Sequence, residues 1–454
     1  MLITRPNLLR TLPSSQKRLD PSVIIQAKKN TRSMTFDRQK QLNSFTIPMF
    51  DVIFPHLQEW EKSKAVDMVI LKGNGRAFSS GGDIKFLANA VETPSRRPEL
   101  DHFVDTLHNM LHFAGTMQTP LVSFMNGITF GTGCGLGVLS QFNVATENTK
   151  MAMPETRFGH FCDAGSNFFL SRLNGHMGRY IALTSRTLVA EDTLMAGLAS
   201  HFVPSHQLES LEDSLINMEN PSRAAINKQI EAFAVKADHV PFSNTLHGRH
   251  REIIDTCFRF DTVGEILRAL EKEGSKFSLD AIDQICDGSP LAIALTLEQL
   301  RRAAGMSLTE CTKMEYNSWQ ISPFEPDFCE GIDAKMVRKQ TPQWVHQTNS
   351  TIDRQKDIIA KYFVGPPVKT LKLASKGDYY TSTQARPYGL PTEEEVRQAM
   401  LLNNFRSDGD IISWFVKDRN NKFGVGQEVA EIIKREYRWQ ENEVVEELRQ
   451  QAAH

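Results

Sequence analysis

The stretch NGITFGTGCGLG, residues 126–137, places glycine at five of its twelve positions. It follows the apolar run PLVSFMNG (Pro120–Gly127), which is typical of a buried strand, and leads into the helical stretch CGLGVLSQ. So many glycines are expected where backbone must approach another group closely or adopt positive φ angles. The stretch therefore predicts a strand, a loop of small residues and a helix in direct succession.

The same succession occurs earlier in the chain. The apolar run VDMVILKG (Val66–Gly73) predicts a strand, and GNGRAFSSGGDIKFL (Gly73–Leu87) supplies a small-residue loop with a helix starting near Asp83. The stretch FNVATENTKMAMPE predicts two further strands, and residues 22–39 predict a hairpin. Strands that alternate with helices predict an α/β domain with a largely parallel sheet, and from about Asn174 the pattern is mostly helical.

Three of these stretches together indicate a catalytic site. A small-residue loop that precedes a helix presents free backbone N–H groups, and two such loops side by side can form an oxyanion hole. The stretch MPETRFGHFCDAG (Met153–Gly165) adds Glu155 and Asp163, eight residues apart. Carboxylates near an oxyanion hole can act as base, nucleophile or proton carrier. Each stretch alone would equally suit a tight turn or a helix start, but their order and spacing are specific.

The composition excludes several classes of protein. The chain has 454 residues and a formal net charge of −2, so no global basic field indicates nucleic acid or membrane binding. Its six cysteines are scattered without a C-x-x-C pair, which argues against a zinc site and a disulfide-stapled secreted domain. No segment approaches the roughly 20 apolar residues that span a bilayer. Residues 1–20 are basic and rich in leucine, serine and threonine, which suits a mitochondrial presequence or a basic N-terminal tail.

The chain resembles the crotonase (enoyl-CoA hydratase/isomerase) superfamily and, within it, the 3-hydroxyisobutyryl-CoA hydrolase family. The resemblance runs from about Ser22 to Trp344 and is carried by AFSSGGDI, NGITFGTGCGLG, QFNVATE, MAMPET, GLASHFV, SPLAIALTLEQL, TKMEYNSWQ and DFCEGIDA. It implies a ClpP-like β-β-α spiral core at 21–245, a helical C-terminal part at 246–345 and an acyl-CoA pocket. Residues 346–454 are then an additional extension, with a basic linker followed by charged helices.

The resemblance also implies the roles of individual residues. Gly82 and Thr132 would supply the two oxyanion N–H groups, and Glu155 would attack the thioester or activate water. Asp163 would help to expel the CoA thiol, and Leu107 stands where the family has an acidic pocket residue. No metal or separate cofactor is implied, because coenzyme A is part of the substrate.

Three departures from the family pattern predict a degraded site. Thr132 replaces a glycine, and a positive φ at this β-branched residue would cost about 1 kcal/mol or more. Leu107 removes a charge or a hydrogen-bond partner, and Ser166 and Asn167 add bulk where the family has glycines.

The sequence leaves two functions open. One is a pseudoenzyme that serves as a structural component of the small subunit of the mitochondrial ribosome, a role in which members of this family occur. The region 346–454 and the N-terminus would then contact ribosomal proteins, with rRNA as a further candidate. The alternative is an active thioesterase that hydrolyses 3-hydroxyisobutyryl-CoA in valine catabolism. Both functions predict the mitochondrial matrix as the location, and neither involves a membrane.

Overall fold

The computed structural model describes residues 22–241, 245–346, 359–364, 368–381, 387–403 and 405–435. The presequence or basic tail predicted for residues 1–20 and the end of the last charged helix therefore lie outside the described residues. No helix among the described residues is both long and apolar enough to cross a bilayer.

Two sheets form the centre of the fold. Their strands are β1 (Val23–Lys28), β2 (Thr31–Phe36), β3 (Met68–Gly73), β4 (Ala77–Ser79), β5 (Leu121–Met125), β6 (Ile128–Phe130), β7 (Phe142–Ala145), β8 (Lys150–Ala152), β9 (Leu188–Val189) and β10 (His201–Phe202). The large sheet has the order β1-β2-β3-β5-β7-β10, and the small sheet has the order β4-β6-β8-β9. Strands β1 and β2 pair antiparallel, and the remaining pairs of the large sheet are parallel. The predicted hairpin and the largely parallel sheet are confirmed.

Successive strands alternate between the two sheets. Strands β3, β5 and β7 lie in the large sheet, and β4, β6 and β8, which follow them in the chain, lie in the small sheet. Every side chain of β5 is buried, as expected for a parallel strand that is covered on both faces. Each strand pair leads into helical structure, so the core consists of repeated strand–strand–helix units wound as a spiral.

Helices cover the sheets and form most of the C-terminal half. They are α1 (Ile47–Lys62), α2 (Ile84–Glu92), α3 (Arg97–Thr116), α4 (Thr132–Leu139), α5 (Ser166–Leu170), α6 (Met177–Thr184), α7 (Asp192–Met195), α8 (Leu208–Ile216), α9 (Arg223–Phe233), α10 (Arg249–Cys257), α11 (Val263–Glu273), α12 (Lys276–Cys286), α13 (Pro290–Ala303), α14 (Leu308–Trp319), α15 (Pro326–Ile332), α16 (Glu393–Leu402), α17 (Asp408–Asp418) and α18, which begins at 425 and is described to 435. Thr392 caps α16 and forms a capping box with Glu395, as the sequence TEEE predicts.

The described parts of the predicted extension pack against the core. Apolar side chains of this region, including Leu371, Val396 and Phe415, belong to the same buried cluster as the core helices. The ring of Tyr388 stacks on Phe142 of β7 with ring centroids 5.1 Å apart. The described C-terminal region is therefore a further layer of one fold rather than a loosely attached tail.

Candidate active site

Two glycine turns bring the predicted oxyanion loops together. Gly81 follows β4 with a φ of +98°, and Gly131 follows β6 with a φ of +49°. A Cβ atom added to Gly81 would lie 3.1 Å from the carbonyl oxygen of Phe130 and 3.5 Å from the backbone nitrogen of Thr132. The close contact and the positive φ together favour glycine at position 81, and the N–H groups that follow the two turns belong to Gly82 and Thr132.

Thr132 lies in ordinary helical backbone. It is the first residue of α4, and the positive φ that a threonine would resist falls on Gly131 instead. The strain anticipated for a threonine in this loop is therefore absent. Among the described residues, neither the N–H of Gly82 nor that of Thr132 has a hydrogen-bond acceptor in the protein. For Thr132 this follows from its position, because the first N–H groups of a helix have no acceptor within the helix.

The carboxyl group of Glu155 lies beside the second loop. Glu155 begins a short 3-10 turn after β8, and a Cβ on Gly131 would come within 2.8 Å of its Oε1 atom. Its Oε2 atom is buried and has no hydrogen-bond partner in the described structure. Burial, followed by repulsion from Asp163, raises the pKa of Glu155 well above its ordinary value.

Asp163 is the second buried carboxyl group of the site. The indole Nε1–H of Trp319 donates to its Oδ2 atom at 2.6 Å. Burial raises the pKa of Asp163 to about 6, although the hydrogen bond from Trp319 favours the ionised form. The chain then turns sharply through Ala164 and Gly165, which have φ angles of +59° and +80°.

A third carboxyl group, which the sequence analysis did not identify, accepts hydrogen bonds from the backbone of this turn. Glu315 of α14 accepts hydrogen bonds from the backbone N–H groups of Gly165 at 2.7 Å and Asn167 at 3.0 Å. Burial and the charge of Asp163 raise the pKa of Glu315 to about 8. Glu315 lies within the stretch TKMEYNSWQ, but no local pattern shows that this helix folds back under residues some 150 positions earlier.

The two glycine loops, Glu155 and Asp163 line one cavity with a volume of about 780 Å³. Leu107 is fully buried in α3 and contributes to its apolar wall together with Phe103. His160 and Trp319, which the sequence analysis also missed as site residues, line the cavity beside Asp163. The structure thus brings all five predicted residues to one cavity, whereas Ser166 and Asn167 are buried and are not among its lining residues. In the part of the chain that the structure describes, no cluster of histidine, cysteine and acidic side chains is arranged to hold a metal ion.

The exposed part of the cavity is basic. Lys40 and Lys85 line it with exposed side chains, and Arg38 contributes a guanidinium group that pairs with Asp83 at 3.0 Å. The arrangement can polarise a carbonyl oxygen between two N–H groups, hold carboxyl groups of raised pKa beside it, and attract an anionic group at the entrance.

Comparisons with known proteins agree with this architecture. The model of the enoyl-CoA hydratase/isomerase family matches residues 31–363. The mitochondrial 3-hydroxyisobutyryl-CoA hydrolase of Danio rerio is 36% identical over 342 residues, covering 75% of this chain and 88% of that protein. The small ribosomal subunit protein mS47 of Neurospora crassa is 31% identical over 430 residues, covering 89% of this chain and 84% of that protein.

A solved structure supports the same conclusion. The carnitinyl-CoA dehydratase of Mycobacterium thermoresistibile superposes with a TM-score of 0.71 and 29% identity, covering 79% of this chain and all of that one. The chain therefore belongs to the enoyl-CoA hydratase/isomerase family and has the crotonase fold that its sequence predicts.

Proposed function

We propose that the protein is a mitochondrial acyl-CoA thioester hydrolase whose substrate is 3-hydroxyisobutyryl-CoA or a close 3-hydroxyacyl analogue. This proposal rests on one observation. Among the described residues, the N–H groups of Gly82 and Thr132 have no hydrogen-bond acceptor, and they lie in the same cavity as Glu155, whose Oε2 atom has no hydrogen-bond partner. The name of the Danio rerio relative supports both the substrate and the mitochondrial location.

The reaction follows from the geometry. The thioester carbonyl oxygen accepts hydrogen bonds from Gly82 and Thr132, which stabilise the negative charge that develops on it. The ionised carboxylate of Glu155 either removes a proton from an attacking water molecule, or attacks the carbonyl carbon to form a mixed anhydride that water hydrolyses after the thiol has left. The C–S bond then breaks, and the protonated form of Asp163 donates its proton to the departing thiolate.

Burial raises the pKa of both carboxyl groups, that of Glu155 well above its ordinary value and that of Asp163 to about 6, and their mutual repulsion disfavours ionising both. In the proposed reaction the one negative charge lies on Glu155 and the proton on Asp163. The exposed amino groups of Lys40 and Lys85 lie at the cavity, where the phosphates of coenzyme A would be neutralised.

Thiol release from 3-hydroxyisobutyryl-CoA tests this proposal directly. We expect the purified protein to hydrolyse the ester, and we expect Glu155→Gln to lower kcat/KM by at least about 10³-fold. The exposed carboxylate of Glu99 provides a matched control, and Glu99→Gln should retain wild-type activity. Undiminished hydrolysis by Glu155→Gln would show that the reaction does not use this site.

We also propose a second role, as a component of a small ribosomal subunit in mitochondria. This role is supported by the match to the Neurospora crassa protein. Because that match covers 89% of this chain, it includes part of the last quarter of the sequence. The match to the Danio rerio hydrolase leaves a quarter of this chain uncovered.

The surface of the C-terminal region is consistent with a protein partner. Leu401 and Leu402 at the end of α16 are 74% and 79% exposed, and Trp414 of α17 is also exposed. Neighbouring exposed apolar side chains are characteristic of interaction surfaces.

Sedimentation of lysed mitochondria, with and without ribonuclease and at two salt concentrations, tests the ribosomal role. The wild-type protein should sediment with the small subunit, and the double variant Leu401→Glu/Leu402→Glu should be released while it still hydrolyses the thioester. The variant Leu279→Glu, which alters an exposed leucine on α12, is the control and should sediment normally. A wild-type protein that sediments only as a free chain would contradict the ribosomal role and leave the hydrolase proposal intact.

A further inference from the structure

His160 is a cavity residue that the proposed reaction does not use. It is 4% exposed, and its ring is fixed between aromatic side chains. Ring centroids lie 4.3 Å away for Phe161, 4.4 Å for Trp319 and 5.3 Å for Phe328. The imidazole therefore has a defined orientation in the cavity wall.

The two nitrogens of this imidazole have different surroundings. Nδ1 lies 3.0 Å from the hydroxyl oxygen of Ser322, whereas Nε2 is buried and has no hydrogen-bond partner in the described structure. Burial lowers the pKa of His160 to about 3, so the ring is neutral and only one nitrogen carries a proton. We assign that proton to Nε2, because this nitrogen faces the Oδ2 atom of Asp163 while the Ser322 hydroxyl can donate to Nδ1.

The distance between Nε2 of His160 and Oδ2 of Asp163 is 3.9 Å. It is too long for a direct hydrogen bond, but it is a separation that one oxygen atom can bridge by hydrogen bonds of about 2.8 Å to each of the two atoms. A hydroxyl group is suited to this position, because it can accept from Nε2–H and donate to a carboxylate oxygen at the same time. The hydroxyl group then satisfies the buried Nε2–H donor, which removes the cost of leaving Nε2 unpaired. Oδ2 of Asp163 accepts it in addition to the indole N–H of Trp319.

We propose that His160 and Asp163 bind the 3-hydroxyl group of the acyl chain, so that His160 makes the enzyme selective for 3-hydroxyacyl thioesters. This inference rests on the proposed hydrolase function and assigns its specificity. The pair lies in a wall formed by Trp319 and Phe328, which suits an acyl chain rather than the polar part of coenzyme A. A site whose buried polar groups need a substrate hydroxyl discriminates against an analogue that lacks it.

The test compares 3-hydroxyisobutyryl-CoA with isobutyryl-CoA, which lacks only the hydroxyl group. We expect the wild type to prefer the hydroxylated ester in kcat/KM by about 10- to 100-fold. His160→Phe keeps an aromatic ring but has no donor, so the ratio of the two kcat/KM values should fall to about one, with the larger loss for the hydroxylated ester. His160→Gln, whose amide N–H can reach the position of Nε2, should keep most of the preference.

An equal loss for both esters in His160→Phe would overturn the proposal, because it would mean that His160 positions the attacking water or supports the cavity. Calorimetric binding of the two esters to the Glu155→Gln variant separates the inference from the hydrolase function. A preference for the hydroxylated ester that His160→Phe abolishes would support the inference even if the wild type hydrolyses neither ester. Equal affinities for the two esters in this assay would contradict it whether or not hydrolysis occurs.

Discussion

Two groups of ionisable side chains in this protein differ in whether their carboxyl groups have positively charged partners. The first is the acidic cluster of Glu155, Asp163 and Glu315, which lies at and beneath the cavity. Within the described part of the chain, no lysine or arginine lies at ion-pair distance from these three groups, and the nearby imidazole of His160 is neutral. Burial therefore raises all three pKa values.

The second group, which we call the clasp, consists of Arg251, Arg435, Asp255, Glu393 and Glu428. Arg251 pairs with Asp255 at 3.3 Å and with Glu428 at 3.4 Å. Arg435 pairs with Asp255 at 3.2 Å and with Glu393 at 2.9 Å. These contacts join the core helix α10 to α16 and α18 of the C-terminal region.

Burial thus has opposite electrostatic consequences for Glu428 of the clasp and for Glu315 of the acidic cluster, both of which are almost fully buried. Burial alone would raise the pKa of Glu428, but Arg251 and Arg435 lower it below the ordinary value. In the acidic cluster no such compensation exists, and carboxyl groups whose pKa is raised without a charged partner are typical of catalytic sites. The clasp, which joins helices, and the acidic cluster, which lies at the cavity, therefore differ in their balance of charge rather than in burial alone.

The largest effect on stability is expected in the clasp. Arg251→Met should lower the free energy of unfolding by about 3–5 kcal/mol, because it leaves Glu428 buried without its main partner. Urea unfolding measures this change, and Arg249→Met is the control. The side chain of Arg249 is itself 68% exposed, so its ion pairs should contribute little to stability. A loss no greater than that of the control would show that the clasp does not hold the C-terminal region in place.

The next largest effect is expected at the oxyanion loop. Thr132→Pro should lower kcat/KM by about 10²–10³-fold, because it removes one of the two N–H donors. Proline is well tolerated at the first position of a helix, so the fold should survive this change. Thr132→Gly keeps the donor and should stay within about threefold of the wild-type rate.

Thioester hydrolysis by the two variants separates the donor from the side chain. Equal activity of Thr132→Pro and the wild type would mean that the loop does not contact the reacting carbonyl. A large increase in kcat/KM for Thr132→Gly would instead support the prediction from sequence that the threonine impairs the site.

Local patterns in the sequence predicted two strand–loop–helix turns and the pair Glu155 and Asp163 in one short stretch, and the resemblance to the family assigned Gly82 and Thr132 as the N–H donors. The structure brings these residues to one cavity. The sequence did not show which residue of the second loop takes the positive φ, because adjacent glycine and threonine leave both assignments open. The structure places it on Gly131.

Pairings between distant segments could not be predicted from the chain alone. Glu315 reaches the site from a helix whose own sequence shows only ordinary periodicity. The region after residue 346 looked like a basic extension because charges were counted along the chain, without their partners. In the fold, the amino group of Lys422 is buried against Glu231 at 2.9 Å, and Lys369 pairs with Asp105. Such partners become visible only when the tertiary structure is known.

The smallest and most specific prediction concerns the pH dependence of stability at Glu315. Since its pKa is raised to about 8, the folded protein keeps a proton on this group at pH values where the unfolded chain has lost it. Ionisation of Glu315 should therefore lower the stability of the wild type as the pH rises from about 5 to about 8. Glu315→Gln cannot ionise, so the difference in unfolding free energy between variant and wild type should shift in favour of the variant over this range.

The slope with pH carries the information here, because glutamine replaces one acceptor oxygen by an N–H₂ group and alters the bonds from Gly165 and Asn167 at every pH. Urea unfolding of both proteins across this range measures the slope, and the exposed Glu59→Gln should show none. A difference that does not change with pH would mean that Glu315 is already ionised in the folded protein. The two N–H bonds would then compensate its charge as the arginines do in the clasp, and the acidic cluster would contain two uncompensated carboxyl groups rather than three.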